Sequence, residues 1–456
     1  MTDTTTHMPA PRTAAPDSPT HARRGEARPF DAILFSSFGG PDGQDDVIPF
    51  LRNVTRGRGI PDERLEEVAG HYRALGGRSP ITEQNEAIIA ALEEELARRD
   101  VDLPIYFGNR NWAPYNAEAV RALHADGHRH ALGLVTSAYS SYSSCRQYRE
   151  DFGMVLEETG LAGEVTIDKV RVYFNHPGFL APVVDGVGAA LASLASEGHD
   201  SERIAVLFST HSVPTAMAEA SGPEETRVKG SGGWYVEQHL AACRWVMDQL
   251  HDDSPELPDW QLVYQSRSGA PHIPWLEPDV NDVIARLAEE DSADAVVVVP
   301  IGFVTDHVEV VWDLDTEAKE TAEEKGLAFR RVATSGEDPR FIAALADLVQ
   351  ERLDESFPRR VVTDFGGTPD VCGTNCCAGR ICRPTTSAVD SASDVERART
   401  ERRVTAGDGQ AGTGSLSLPR PRSGSAPAPQ SSRSRSPGTS APRSWRAPAT
   451  RSSWCT

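Results

Sequence analysis

At 456 residues, with a formal net charge of -21 and 39% hydrophobic residues, the chain exceeds what one hydrophobic core usually serves and has the composition of an ordinary soluble enzyme. From Arg380 onward thirteen Arg stand against five acidic residues, a local +8 that leaves -29 for the remainder; a body this acidic argues against general nucleic-acid binding, which sets positive charge against phosphate. No run of about 20 apolar residues is evident and the start lacks a basic-then-apolar signal pattern, so no transmembrane segment is expected and the cytoplasm is the expected location.

In chain order, residues 1–29 are rich in Thr, Pro, Ala and charge without apolar periodicity, which predicts a disordered leader. Eight short β-branched runs follow, near Ala32 to Phe38, Pro104 to Gly108, Ala131 to Tyr139, Val165 to Tyr173, Ile204 to Thr210, Gln261 to Gln265, Ala295 to Phe303 and Ala328 to Val332. Helical patterns fill the gaps, for example Asp62 to Leu75, Glu83 to Arg99, Ala117 to Ala125, Ala181 to Ser196, Glu237 to Leu250, Val280 to Glu289 and Asp338 to Glu355. Strands alternating with helices predict an α/β fold with parallel sheets covered on both faces. A short internal echo, Gly108-Asn109-Arg110-Asn111-Trp112-Ala113-Pro114 against Gln265-Ser266-Arg267-Ser268-Gly269-Ala270-Pro271, points to two similar halves. The expected arrangement is two doubly wound, Rossmann-like domains with four-stranded parallel sheets, residues 30–160 and 161–360, and a site in the cleft between them. A Cys-rich extension spans 361–387, and 388–456 is a Ser/Pro/Arg tail with no Lys that cannot bury a core.

Two polar clusters sit at strand ends in the second half. The run from Ile204 ends in Thr210-His211-Ser212-Val213-Pro214, and the run from Ala295 ends in Thr305-Asp306-His307-Val308-Glu309. Each alone reads as a structural histidine or a solvated acidic helix. Together they supply a His and a carboxylate, the pair that proton transfer or divalent-metal delivery requires. Seven Cys are too spread for a disulfide scaffold in a cytosolic-looking chain, and the four between Cys372 and Cys382 are too close together to be accidental spacing, which raises metal or cluster ligation.

Phe38-Gly39-Gly40-Pro41, Tyr72-Arg73-Ala74-Leu75-Gly76-Gly77-Arg78-Ser79-Pro80, the Thr210 to Pro214 turn and Asp306-His307-Val308-Glu309 resemble, in this order, the motifs of ferrochelatases over roughly residues 30–360. The Asn53 to Gly59 run and the Cys-rich end most resemble the actinobacterial branch, whose members are similar to coproporphyrin III ferrochelatases. The resemblance implies a lyase-type metal chelatase that inserts Fe²⁺ into coproporphyrin III and releases two protons during heme biosynthesis. It implies that His211 receives pyrrole protons or holds the metal, that Glu309 shares the metal and passes protons outward, and that His307 supports the pair from behind. An ordinary imidazole, with a pKa of about 6.5, suits either task. Asp313 and Asp315 could extend an acidic route, but are read as charge on a helix surface. Ser79 and Tyr148 match porphyrin contacts of the family, with a helix N-cap and a packed aromatic as the competing readings. Arg56, Arg58 and Arg110 are candidate propionate partners. Phe38 stands where the Firmicutes type carries Tyr, so axial ligation of iron from that side is not expected. The resemblance also implies a [2Fe-2S] cluster on Cys145, Cys372, Cys376 and Cys377, with Cys382 able to replace one ligand; a zinc site or plain thiols are the alternatives. Cys243 reads as core.

Other readings remain open from sequence: protoporphyrin IX as substrate, a cobalt chelatase on the same fold, or a tetrapyrrole-binding module without catalysis. Binding proteins of that last architecture are usually exported, and no export signal is seen here. A coproporphyrin product would call for transient handover to a coproheme decarboxylase.

Overall fold

The computed structural model describes residues 29–57, 59–222, 232–251, 256–268, 272–370, 372 and 376–377. The leader, the Ser/Pro/Arg tail, Arg58 and Cys382 therefore lie outside the described residues.

The first sheet is built from β1 (Ala32–Ser37), β2 (Ile105–Asn109), β3 (His130–Val135) and β4 (Thr166–Lys169), in the spatial order β2-β1-β3-β4. Between β1 and β2 come α1 (Val47–Val54), α2 (Asp62–Ala74) and α3 (Ile81–Arg98); α4 (Asn116–Ala125) and α5 (Gln147–Thr159) complete this half. After α6 (Pro177–Ser196) the second sheet repeats the plan with β5 (Ile204–His211), β6 (Asp259–Gln265), β7 (Ala295–Val299) and β8 (Ala328–Arg331), ordered β6-β5-β7-β8. Its helices are α7 (Thr215–Glu219), α8 (Gly233–His251), α9 (Val280–Glu289), α10 (Val308–Val310), α11 (Lys319–Glu324) and α12 (Pro339–Leu353), with π-helical winding over Val311–Ala318 between α10 and α11. All pairings are parallel. β1 and β7 are buried along their whole length, as expected of strands covered on both faces.

The two α/β halves are therefore borne out, with one boundary moved. β4 pairs with β3, His130 opposite Thr166, so the first half runs past residue 160 to Lys169. Gly269-Ala270-Pro271 of the internal echo lie outside the described residues; near the strand ends Asn109 N–H donates to Pro114 O at 2.7 Å and Tyr264 N–H to Pro278 O at 2.9 Å. β7 stops at Val299, short of Phe303, because the chain turns there: Ile301 N–H bonds Val299 O and Gly302 N–H reaches Ser209 O on the neighbouring strand. A Cβ on Gly302 would lie 2.1 Å from Thr210 Oγ1, so only glycine lets the turn press this closely.

One hydrophobic core joins the halves, from Ile33 and Phe35 in the first sheet through Phe179 on α6 and Phe341 on α12 to Phe208 and Val297 in the second. α12 returns to pack on α3 of the first half. Glu351 on α12 holds the fully buried Arg171 through two hydrogen bonds of 2.7 and 2.9 Å. By length and composition α6 could cross a membrane, contrary to the sequence reading, yet its Phe179, Leu180, Val183, Val187 and Leu194 lie in the core.

α1 and α2 make a small excursion with its own apolar cluster, Phe50, Leu51, Val68 and Tyr72, and Val308 of the second half plugs into it. The two sides also meet where the rings of His71 and Trp312 stack at 4.3 Å, and where Asp306 N–H donates to Gln84 Oε1 at 2.8 Å. Beyond α12 the chain straps back across the segment after β4: Val362 N–H donates to Asn175 O, and Thr368 Oγ1 to Val172 O at 2.9 Å. This strap delivers Cys372 to the first half.

Candidate active site

The carboxyl ends of both sheets open on one cleft lined from both halves. From the first half come Phe38, Ser79, Arg110, Thr136, Ser144 and Tyr148; from the second come His211, Gly302, His307 and Glu309.

His211 is the last residue of β5, and Glu309 lies in the helix that follows β7, the adjacent strand. The two side chains, each less than a fifth exposed, approach to 3.8 Å between Nε2 and Oε2. His211 Nδ1 is 2.5 Å from the Ser212 carbonyl, which can only accept, so Nδ1 carries the proton and Nε2 is left toward Glu309 and the cleft. His307 faces the same space with its pKa driven down to about 3 by burial and by the neighbouring His211, so it stays neutral at physiological pH.

The acidic helix differs from the sequence expectation. Asp313 is not surface charge: it is 8% exposed, accepts a hydrogen bond from Ser266 Oγ and one from Gln265 Nε2 at 3.3 Å, and has its pKa raised to about 7 by burial, with Glu317 adding to the rise. The π-helical winding keeps Glu309, Asp313 and Glu317, four residues apart, on one side of the helix. Asp315 points elsewhere and pairs with Arg331 at 2.9 Å, which also holds Asp306 at 2.8 Å.

On the opposite wall, Ser79 is buried and caps nothing: α3 begins at Ile81 with Pro80 at its N-cap, while Ser79 N–H donates to Pro41 O at 2.8 Å. A Cβ on Gly40 would collide with Ser79 at 2.5 Å, so the Gly39-Gly40 turn exists to let Ser79 reach the cleft. Tyr148 is both packed and cleft-lining, 4% exposed, with its phenol pKa raised by burial. Arg110 stacks over it at 4.4 Å and ion-pairs with Asp151, so this cation is already partly neutralised. Among the described residues its Nη2 has no hydrogen-bond partner. Arg56 sits exposed on the turn after α1 and does not line the cleft.

Cys145 lies buried on the π-helical turn Tyr142–Arg146, one side of which forms the cleft wall. The strap brings the other thiols to it in succession: Cys145 touches Cys372, Cys372 touches Cys376, and Cys376 Sγ is 3.9 Å from Cys377 Sγ. The contact with Cys372 and burial hold the Cys145 thiol well above its ordinary range, whereas Lys169 and Arg149 favour its thiolate. Among the described residues no three His, Cys, Asp or Glu side chains converge as a closed metal site. Cys243 is core, as expected.

Sequence reasoning missed Tyr139, Tyr235 and His239, which form the cleft floor. The available signal was an aromatic and a histidine four residues apart on the helix that follows the His211 turn.

A His and a carboxylate at neighbouring strand tips, facing a hydroxyl- and guanidinium-bearing wall across a cleft between two doubly wound halves, define a tetrapyrrole metal chelatase by fold and site. The ferrochelatase family model matches residues 30–353, and the chain belongs to the ferrochelatase family. Curated relatives called coproporphyrin III ferrochelatase are similar along most of their length: that of Streptomyces coelicolor is 52% identical over 80% of this chain and 98% of its own, that of Streptomyces griseus 52% over 80% and 97%, and that of Leifsonia xyli 54% over 76% and 91%.

The Asp313 carboxyl yields a direct test. Because its folded pKa of about 7 exceeds the ordinary 3.8, the favourable contribution of the protonated form is complete below pH 3.8 and is lost as pH rises to 7. Urea melts of wild type and Asp313→Asn should show the wild type losing about 1.4 kcal/mol per pH unit relative to the variant up to pH 7, then no further change. A constant difference from pH 5 to 8 contradicts the buried, protonated carboxyl.

Proposed function

We propose that the chain is a coproporphyrin III ferrochelatase, inserting Fe²⁺ into coproporphyrin III to give Fe-coproporphyrin III, with release of two protons, in heme biosynthesis. The observation that carries this reading is the 3.8 Å approach of His211 and Glu309 in a cleft whose far wall is polar. The Nη2 of Arg110, unpartnered among the described residues, and the hydroxyls of Ser79 and Tyr148 suit a carboxylate-bearing ring.

Chelation requires two pyrrole N–H protons to leave while the iron sheds water. With Nδ1 held by Ser212 O, His211 presents Nε2 to take the first proton, and Glu309 opposite it stabilises the imidazolium. Asp313, poised near pH 7, receives and releases protons further along the helix. A ring gripped between the two walls and bent would expose nitrogen lone pairs that a flat macrocycle hides. His307, being neutral, shapes the pocket and adds no charge against the incoming cation.

We further propose that Cys145, Cys372, Cys376 and Cys377 hold a [2Fe-2S] cluster. Three of the four are buried, they touch in succession, and Lys169 and Arg149 offset thiolate charge. When bound, such a cluster supplies a one-electron redox centre. We propose the cytoplasm as its location and a decarboxylating enzyme as the recipient of its four-propionate product.

Anaerobic mixing with Fe²⁺ should quench the fluorescence of coproporphyrin III much faster than that of protoporphyrin IX. Faster quenching of the dipropionate ring reverses the substrate assignment, and no turnover on either ends the reading. Protein purified without oxygen should be coloured and bleach with dithionite, while Cys145→Ser should be colourless and iron-free; a colourless wild type refutes the cluster.

A further inference from the structure

Beneath His211 lies a column of side chains that the reaction scheme does not use. Tyr235, near the start of α8 and 6% exposed, donates its hydroxyl hydrogen to the backbone carbonyl of His211 at 2.9 Å. The same hydroxyl is 3.0 Å from Thr210 Oγ1, which lies 2.9 Å from His239 Nε2. His239 Nδ1 is 2.7 Å from the Tyr235 carbonyl, so Nδ1 bears the hydrogen and Nε2 must accept. Thr210 therefore donates to His239, and the Tyr235 hydrogen is shared between Thr210 Oγ1 and His211 O. Burial drives the His239 pKa down to about 3, which keeps this pattern fixed.

The base of the column is equally constrained. The His239 ring stacks on Tyr139 at 3.7 Å and 8°, and Tyr139 donates to Ile301 O at 3.1 Å, joining the end of β3 in the first half to the end of β7 in the second. Gly302 leaves Thr210 no room to move. Every hydrogen in the column has an assigned acceptor, and the column ends at the peptide bond following the His211 side chain.

We propose that Tyr235 is a positioning residue for His211, with Thr210 and His239 setting its orientation. This rests on the chelatase reading above. Ser212 O then fixes the His211 ring tautomer through Nδ1, and Tyr235 fixes the carbonyl from which that peptide leaves, opposite the Ser212 N–H bond to Gln265 O. Without the phenol the His211–Ser212 peptide keeps its Ser212 N–H bond to Gln265 O at 2.8 Å but loses the partner on its carbonyl side, so the carbonyl can tilt, the Nδ1 bond loosens, and Nε2 no longer stays in register with Glu309. The Tyr235 ring lines the cleft, but the hydroxyl is turned to His211 O and Thr210 Oγ1, so losing the hydroxyl alone acts on the rate and leaves the ring against the porphyrin.

The test is Tyr235→Phe, with Thr210→Val as a second variant should the first fold poorly, each read by steady-state iron insertion and by ¹⁵N NMR of the histidine rings in the metal-free protein. The expected result is a kcat lowered about tenfold, the scale of one lost hydrogen bond, with the porphyrin KM unchanged. In the same variant the His211 ring shifts from a single Nδ1–H tautomer to a mixture. An unchanged kcat together with an unchanged His211 tautomer overturns the proposal. So does a loss in which porphyrin KM, kcat and thermal stability all decline while the tautomer stays fixed, since that is a structural effect. If wild type shows no turnover the chelatase reading fails instead, while the NMR comparison still reports on the restraint.

Discussion

The account depends on the meeting of one imidazole nitrogen and one carboxylate oxygen, and that meeting follows from strand adjacency. β5 and β7 pair in parallel up to Phe208 opposite Val299, so whatever follows each strand emerges about 4.8 Å from its neighbour on the same edge of the sheet. His211 is three residues beyond that last pair. Glu309 comes down to meet it because the Gly302 turn hugs β5 and the next helix begins at Val308. Neither side chain needs a long loop to find the other.

Such a pair becomes a reaction site only if a second wall faces it. The first half supplies that wall, and the shared core through α6 and α12 sets its distance. Closer to the cleft, Val308 packed among the α1–α2 residues and the His71–Trp312 stack join the Glu309 helix to the opposing lip. The same helix therefore carries Glu309 and Asp313 and an inter-half contact, which ties the cleft width to the position of Glu309. Its π-helical stretch turns Asp313 inward against Gln265 and Ser266 at the end of β6. π-Helical insertions of this kind are frequent at functional sites because they re-aim side chains that an α-helix would point elsewhere.

Much of this was readable from sequence where a single physical signal dominated. Strands such as Ala295 to Val299, nothing but Ala and Val, announce a buried parallel sheet, and polar residues directly after them announce a strand-end site. The signal failed where burial is decided by distant chain. Asp313 and Asp315 look alike in sequence, yet one packs against β6 and the other pairs with Arg331 on β8. Which half β4 joins is not legible, because a four-residue strand carries no mark of the sheet that takes it. α5 went unread since its Arg149, Glu150 and Asp151 are charged and yet buried. Tyr235 bonds the His211 carbonyl 24 residues away and His239 the Thr210 hydroxyl 29 residues away, which no local pattern reveals.

The most direct measurement compares His211→Ala and Glu309→Gln with wild type in two parallel anaerobic experiments, porphyrin binding by fluorescence titration and iron insertion by stopped-flow absorbance. The account predicts that both variants bind porphyrin with near-native affinity and that insertion is lost with His211→Ala and falls at least a hundredfold with Glu309→Gln, the scale of removing a proton-transfer group. Iron insertion at the wild-type rate by a folded His211→Ala protein would contradict it.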